Sequence, residues 1–298
     1  YIVFMTSFIK MHGLGNDFIL LDARDPTNFV PAAISAEGCK KLSDRNFGIG
    51  CDQILILRKS KRADVYMEIF NKNGTVAEAC GNGTRCVADY VMSDLGQTSI
   101  NIETAAGILT TWRAAENMSH VAVDMGPVGL GWKDIPLVKS VDTIEIELTG
   151  DSEEIGHFKA ICQSIGNPHA VIIVDDVMSV NLSKVGPILE RNPIFSKGAN
   201  ISFVNKLSDG RFRMRVWERG VGITLACGSG ACAVGVAVKR AGLGSNHSEI
   251  VMDGGSVFVE WQADETLGGR VIMRGPVSYV FKGELSAETK NFLGKENV

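Results

Sequence analysis

The sequence predicts an α+β protein built from two copies of one domain, each a sheet wrapped around a central helix. Three observations predict it. The stretch Ala79-Cys80-Gly81-Asn82-Gly83 recurs half a chain later as Ala226-Cys227-Gly228-Ser229-Gly230. Short apolar or alternating runs, the mark of strands, outnumber helical stretches and cluster on either side of those motifs. The helix after the second motif, Ala231-Cys232-Ala233-Val234-Gly235-Val236-Ala237-Val238, has no polar face for two turns, so it is buried all round.

The repeat is carried by several landmarks at offsets of 147 to 153 residues. Asn16, before an apolar run ending at Asp22, matches Asn167 before a run ending at Asp175. Gly50-Cys51-Asp52 matches Gly198-Ala199-Asn200, and Phe70-Asn71 matches Trp217-Glu218. Trp112 matches Trp261, and Gly126-Pro127-Val128 matches Gly275-Pro276-Val277. In the first copy, strands are predicted over Phe18 to Leu21, Gln53 to Leu57 and Asp64 to Phe70. A helix over Thr84 to Leu95 follows, stopped by Gly96, and then strands over Ser99 to Thr104, Ile108 to Ala114 and Ser119 to Met125. The second copy repeats this: strands over Ala170 to Val174, Ile201 to Val204 and Arg211 to Trp217, and a helix over Ala231 to Ala241 with Gly242 as its stop. Strands over Glu249 to Met252, Val257 to Trp261 and Gly269 to Met273 complete it. The division falls at 1–126 with the tail 277–298 returning to the first domain, and 127–276 for the second. Gly129 to Gly156 is read as a linker or an extra strand.

Composition narrows the function. A net charge of −4 supplies no cationic excess for phosphates, so nucleic acid is not an expected partner. No apolar stretch approaches the roughly 20 residues that span a bilayer, and no membrane partner is expected. The N-terminus is not read as a signal peptide, and Met5 is a candidate natural start. Seven cysteines, an odd number, argue against a disulfide scaffold and for a cytoplasmic chain with free thiols.

Cys80 and Cys227 are the candidate catalytic residues. Each stands where a strand gives way, through glycines, to a helix. The free N–H groups and dipole there favour an anion, which is expected to lower the thiol pKa. Either cysteine alone is read equally well as a small residue packed in a turn; the matched pair is not. The spacings to Cys86 and Cys232 do not suit zinc, and no Cys-x-x-Cys motif suggests a redox dithiol. Cys86 and Cys232 read as core. Two thiols on opposite sides of one carbon suit proton removal from one face and delivery to the other. The helix N-termini would hold the carboxylate as it gains enolate character.

The motifs Lys10-Met11-His12-Gly13-Leu14-Gly15-Asn16-Asp17-Phe18, Phe47-Gly48-Ile49-Gly50, Phe70-Asn71 and Cys80-Gly81-Asn82-Gly83-Thr84-Arg85-Cys86 lie in the first half. Gly166-Asn167-Pro168-His169, Glu218-Arg219-Gly220 and Ala226-Cys227-Gly228-Ser229-Gly230-Ala231 lie in the second. Together they resemble the diaminopimelate epimerase family over about residues 8 to 277. The resemblance implies two pseudo-symmetric domains, each a barrel-like, mostly antiparallel sheet around a central helix. It implies interconversion of LL- and meso-diaminopimelate, in lysine and peptidoglycan precursor biosynthesis, with no cofactor and no metal. It makes Cys80 and Cys227 the bases. It assigns substrate contacts to Asn16, Gln53, Asn71, Asn167, Asn200, Glu218 and Arg219, and to the backbone at Gly81, Asn82, Gly228 and Ser229. His169 becomes an orienting residue. Physical chemistry agrees in part: Arg219 offers a planar fork for a distal carboxylate, and Glu218 and amide oxygens offer acceptors for amines. Turn use is the alternative for each asparagine, and surface use for Arg219. A proline racemase or hydroxyproline epimerase is the competing enzyme, and a non-catalytic amino-acid binder the competing class. A homodimer is left open.

Overall fold

Two residues with positive φ, Leu14 at 57° and Gly15 at 83°, turn the chain between its first two strands. Left-handed backbone at both turn positions matches the right-handed twist of a hairpin with a two-residue loop. The hairpin joins β1 (Ser7–Gly13) to β2 (Asn16–Asp22), with Gly13 opposite Asn16. The computed structural model describes residues 6–115, 117–149, 156–264, 268–286, 289 and 293. The candidate start at Met5 lies outside them.

Contacts divide the chain into two compact units, Tyr1–Val123 with Pro276–Val298, and Asp124–Gly275. After the hairpin, the first unit contains α1 (Ala36–Ser43), β3 (Gln53–Arg58), β4 (Val65–Asn71), α2 (Gly81–Leu95), β5 (Ser99–Thr104) and β6 (Gly107–Ala114). Strand β7 (Asn117–Pro127) leads out of it. The second unit contains β8 (Ile146–Thr149), β9 (His157–Ser164), β10 (Pro168–Ile173), α3 (Leu182–Glu190), β11 (Asn200–Lys206), β12 (Phe212–Glu218) and β13 (Gly222–Ile223). It continues with α4 (Gly228–Arg240), β14 (His247–Met252), β15 (Gly255–Gln262) and β16 (Arg270–Pro276). The tail adds β17 (Ser278–Glu284), which pairs with β1.

In the first unit the strand order is β17-β1-β2-β3-β4-β5-β6-β7, with β2∥β3 and β4∥β5 parallel and every other neighbour antiparallel. In the second it is β8-β9-β10-β11-β12-β14-β15-β16, again with only its third and fifth pairings parallel. Both units therefore carry one topology. The segment read as a linker or extra strand contains β8, which occupies in the second order the place that β17 takes in the first.

Each sheet curls around its long helix. Helix α2 packs on β1 and β2 and also on β5 and β6, near the other end of the order. Met11, Phe18, Leu20, Leu55 and Leu57 meet Val87, Val91 and Met92 of α2 in this core. The alternate residues Ile19, Leu21, Ile54 and Ile56 pack outward with Cys39 and Leu42 of α1. Covering both faces explains why β2 and β3 read as continuous apolar runs. In the second unit α4 is buried from Gly230 to Val238, as its unbroken apolar stretch predicts. Gly235 lies so close to β15 that a Cβ there would stand 2.6 Å from Val259 Cγ1.

The ladders correct two sequence landmarks. Asn71 faces Gln53 in the first unit, and Ile201 faces Trp217 in the second. The counterpart of Gln53 is thus Asn200, and that of Asp52 is Ala199. Ile102 pairs with Leu109 and Ile250 with Val257, so Trp112 corresponds to Glu260 and not to Trp261. A one-residue slip exchanges sheet faces, and the two tryptophans face opposite ways relative to their units.

Candidate active site

In both units the functional side chains gather at one end of the sheet, beside the N-terminus of the long helix. In the first unit Asn16 and Gln53 open β2 and β3, and Asn71 closes β4. Extended chain then reaches Cys80, the N-cap of α2, with φ −152° and ψ 103°. The Gly83 N–H donates to Cys80 Sγ at 3.4 Å, and Sγ stands 3.8 Å from Asn16 Oδ1. Asn82 Nδ2 donates to the same oxygen at 3.3 Å. Gln53 Nε2 donates to Asn71 Oδ1 at 3.0 Å, and Asn71 Nδ2 to Thr75 Oγ1 at 3.0 Å.

In the second unit Asn167 precedes β10, Asn200 opens β11, Glu218 closes β12, and Cys227 caps α4 with φ −128° and ψ 111°. Cys227 Sγ donates to Glu218 Oε2 at 3.2 Å and lies 3.7 Å from Ser229 Oγ. The Thr224 hydroxyl donates to Glu218 Oε1. Asn167 Nδ2 reaches Ser229 Oγ at 3.5 Å, and its Oδ1 is 2.8 Å from His169 Nε2. An amide oxygen only accepts, so Nε2 carries the imidazole proton.

Gly81 and Asn82 open α2, and Gly228 and Ser229 open α4, the positions whose N–H groups point out from a helix end. Such positions favour an anion.

The electrostatics correct one expectation. Cys227 is not a low-pKa thiol here: burial pushes it well above its usual 9.0, with the charge and hydrogen bond of Glu218 adding to the rise. The Gly230 N–H and Ser229 hydroxyl pull the other way without prevailing. A helix N-terminus is a fractional charge, and desolvation beside a carboxylate outweighs it. Glu218 is itself raised by burial, against the lowering hydrogen bonds of Thr224 and Cys227. Burial, then the charge of Arg219, hold His169 down at about 3, so the ring is neutral.

Comparison with known proteins settles the family. Residues 8–130 and 161–280 match the family model described as diaminopimelate epimerase. A diaminopimelate epimerase of Rhodospirillum centenum is 45% identical over 283 residues, covering 94% of this chain and 92% of the relative. One from Acidiphilium cryptum is 44% identical, covering 94% and 96%. The chain belongs to the diaminopimelate epimerase family. As a member of that epimerase family it is an isomerase. The same fold occurs in distant solved structures: a hydroxyproline epimerase from Agrobacterium vitis with bound trans-4-hydroxy-L-proline (TM-score 0.67, 15% identity, covering 96% of this chain and 93% of that one), and a PhzF-family phenazine biosynthesis protein from Bacillus anthracis (TM-score 0.65, 16% identity, covering 95% and 99%).

Two of the residues expected to contact substrate have partners within the protein. Asn200 is buried, with Nδ2 on the Pro168 carbonyl at 3.1 Å and Oδ1 on the Arg219 N–H at 2.9 Å, so its amide braces two backbone segments. Arg219 is exposed and donates one Nη1–H to the Lys197 carbonyl at 3.0 Å. Sequence reasoning missed Glu190, whose carboxylate takes Trp217 Nε1–H at 2.6 Å and the Gly220 N–H at 3.1 Å, fixing the turn that carries Glu218 and Arg219. It also gave no role to Thr224, Asp52 or Arg85. A buried arginine inside the Cys80 motif was the available signal.

Proposed function

We propose that this chain interconverts LL- and meso-diaminopimelate without a cofactor, with Cys80 and Cys227 as its acid/base pair. The observation that carries the reading is the matched placement of the two cysteines. Each caps the central helix of its unit at the same step of one topology, yet each faces a different acceptor: a neutral amide at Cys80 and a carboxylate at Cys227. One thiolate takes the α-proton, and the other thiol delivers a proton to the opposite face. The Glu218 carboxylate can accept the Cys227 proton and so generate the thiolate. The N–H groups of Gly81, Asn82, Gly228 and Ser229 receive the reacting carboxylate and stabilise the negative charge that develops on it.

Asn16, Gln53, Asn71 and Asn167 supply amide groups for the amines and carboxylates, and Asn200 braces the Arg219 turn as well as lying at the site. Arg219 supplies the planar cation for the distal carboxylate. His169 orients Asn167 through its Nε2–H.

We further infer a cytoplasmic setting, which seven free cysteines suit. No described helix is long and apolar enough to cross a membrane. A homodimer has a candidate surface on β17, where Tyr279, Val280 and Phe281 are exposed in succession. The purified chain is expected to convert LL-diaminopimelate to the meso form, followed by chiral chromatography, and to leave L-proline and trans-4-hydroxy-L-proline unchanged. Turnover of either cyclic amino acid with none of diaminopimelate would replace this reading.

A further inference from the structure

An end-to-end series of hydrogen bonds runs past Cys80. Arg85 Nη2 donates to Asn82 Oδ1 at 3.0 Å, Asn82 Nδ2 donates to Asn16 Oδ1 at 3.3 Å, and Asn16 Nδ2 donates to Asp52 Oδ2 at 3.2 Å. Cys80 Sγ stands 3.8 Å from the same Asn16 oxygen. The two ends differ in kind from the middle. A guanidinium has only donors and a carboxylate only acceptors, whereas an amide can present either edge, so partners decide its orientation.

Both ends are firmly held. Arg85 is fully buried in the second turn of α2. Gly13 passes so close that a Cβ there would stand 3.1 Å from its Nη2. Asp52 Oδ1 takes Arg45 Nη2 and Lys72 Nζ, each at 3.0 Å, while Oδ2 also takes the Asp17 N–H at 3.2 Å. Both oxygens of Asp52 thus face donors from other segments.

We infer that Arg85 and Asp52 are positioning residues that set the polarity of the Asn82–Asn16 amide pair, so that an oxygen and not an NH2 group faces the Cys80 sulfur. The chemical consequence rests on the acid/base role proposed for Cys80. An oxygen lone pair steadies the S–H and disfavours the thiolate; an NH2 group in its place would do the reverse. The relay therefore sets an amide oxygen beside the Cys80 sulfur, a group that cannot take the proton away. Glu218, beside Cys227, can.

Either end alone suffices to hold the polarity, which gives the relay a kinetic signature. Asp52→Asn and Arg85→Met should each reduce kcat by less than about fivefold, and the double variant should fall about tenfold or more below the product of the two, with KM within about threefold throughout. Arg85→Lys, which keeps a donor-only end, should restore kcat in the Asp52→Asn background. Losses that simply multiply, or that fall on KM, would overturn the inference, since independent packing roles give that result.

Arg85 is buried and its substitution bears on folding, so the native protein supplies a second measurement. Neutron diffraction from deuterium-exchanged crystals should place both side-chain deuterons of Asn16 on the atom facing Asp52. Deuterons on the atom facing Cys80 would refute the relay. That map is read without reference to turnover, so an inactive native chain would count against the function while the map still decided the polarity.

Discussion

At the scale of single residues, the sulfur of Cys227 is governed by what surrounds it more than by the helix it caps. Burial is the first cause of its raised pKa and Glu218 the second. Glu218→Gln removes the charge and leaves the burial. The pH midpoint for iodoacetamide alkylation of Cys227, read by peptide mass mapping, should therefore fall but stay above the ordinary thiol value of 9.0. The same variant should lose about 100-fold or more in kcat, because a neutral amide cannot take the thiol proton. An unmoved midpoint would show that the carboxylate does not hold this thiol. The cysteines were legible in the sequence because their motif occurs twice. The electrostatics of Cys227 were not: a motif shows a helix N-terminus, but the burial of the sulfur and the charge of Glu218 beside it come only with the folded chain. Asp52 and Arg85 were hidden for a related reason, since their function lies in the direction of hydrogen bonds.

At the scale of elements, most strands and both long helices follow from apolar pattern and glycine stops, and the exceptions have physical causes. Strand β1 contains Lys10 at a buried position, which breaks the expected alternation; Asp17 pairs with it at 2.6 Å. Helix α1 is eight residues long, too short for a periodic signal, and α3 contains Gly186 and Pro187, which read as breakers. Gly186 is required there because a Cβ would stand 2.6 Å from the Trp217 ring. Gly235 makes the same point in α4. Alanine should favour an isolated helix over glycine by about 1 kcal/mol. Here its Cβ would stand 2.6 Å from Val259 Cγ1 and 3.0 Å from Val259 Cβ, and a β-branched neighbour has few rotamers to yield with. Overpacking of this kind costs about 1–3 kcal/mol, so Gly235→Ala should lower the urea midpoint on balance. Val259→Ala in the same chain should recover part of the loss. A raised midpoint for Gly235→Ala alone would mean that the helix stands farther from β15.

At the scale of the whole molecule, the chain is one domain built twice, and each copy carries a cysteine at the N-cap of its long helix. Both units share one order and sense of strands, and each places its cysteine nine residues after the end of the fifth strand in that order, at Asn71 or Glu218. The sequence showed this duplication through its landmarks, although two of them slip by one residue where loops differ in length. The two halves differ at that matched strand end, Asn71 against Glu218. A two-base mechanism makes a strong isotopic prediction. In heavy water, starting from pure LL-diaminopimelate and stopping early, one cysteine removes the substrate proton and the other delivers a solvent deuteron. The meso product should carry deuterium at the inverted carbon while recovered substrate stays almost unlabelled, as read by mass spectrometry after chiral separation. One base serving both faces would return the original proton or label both pools alike. Cys80→Ala and Cys227→Ala should each abolish inversion, because each leaves one face without its acid or base, while exchange on the remaining face can persist slowly. Heavily labelled early substrate with the native chain, or near-normal inversion by either variant, would remove one of the two cysteines from the chemistry.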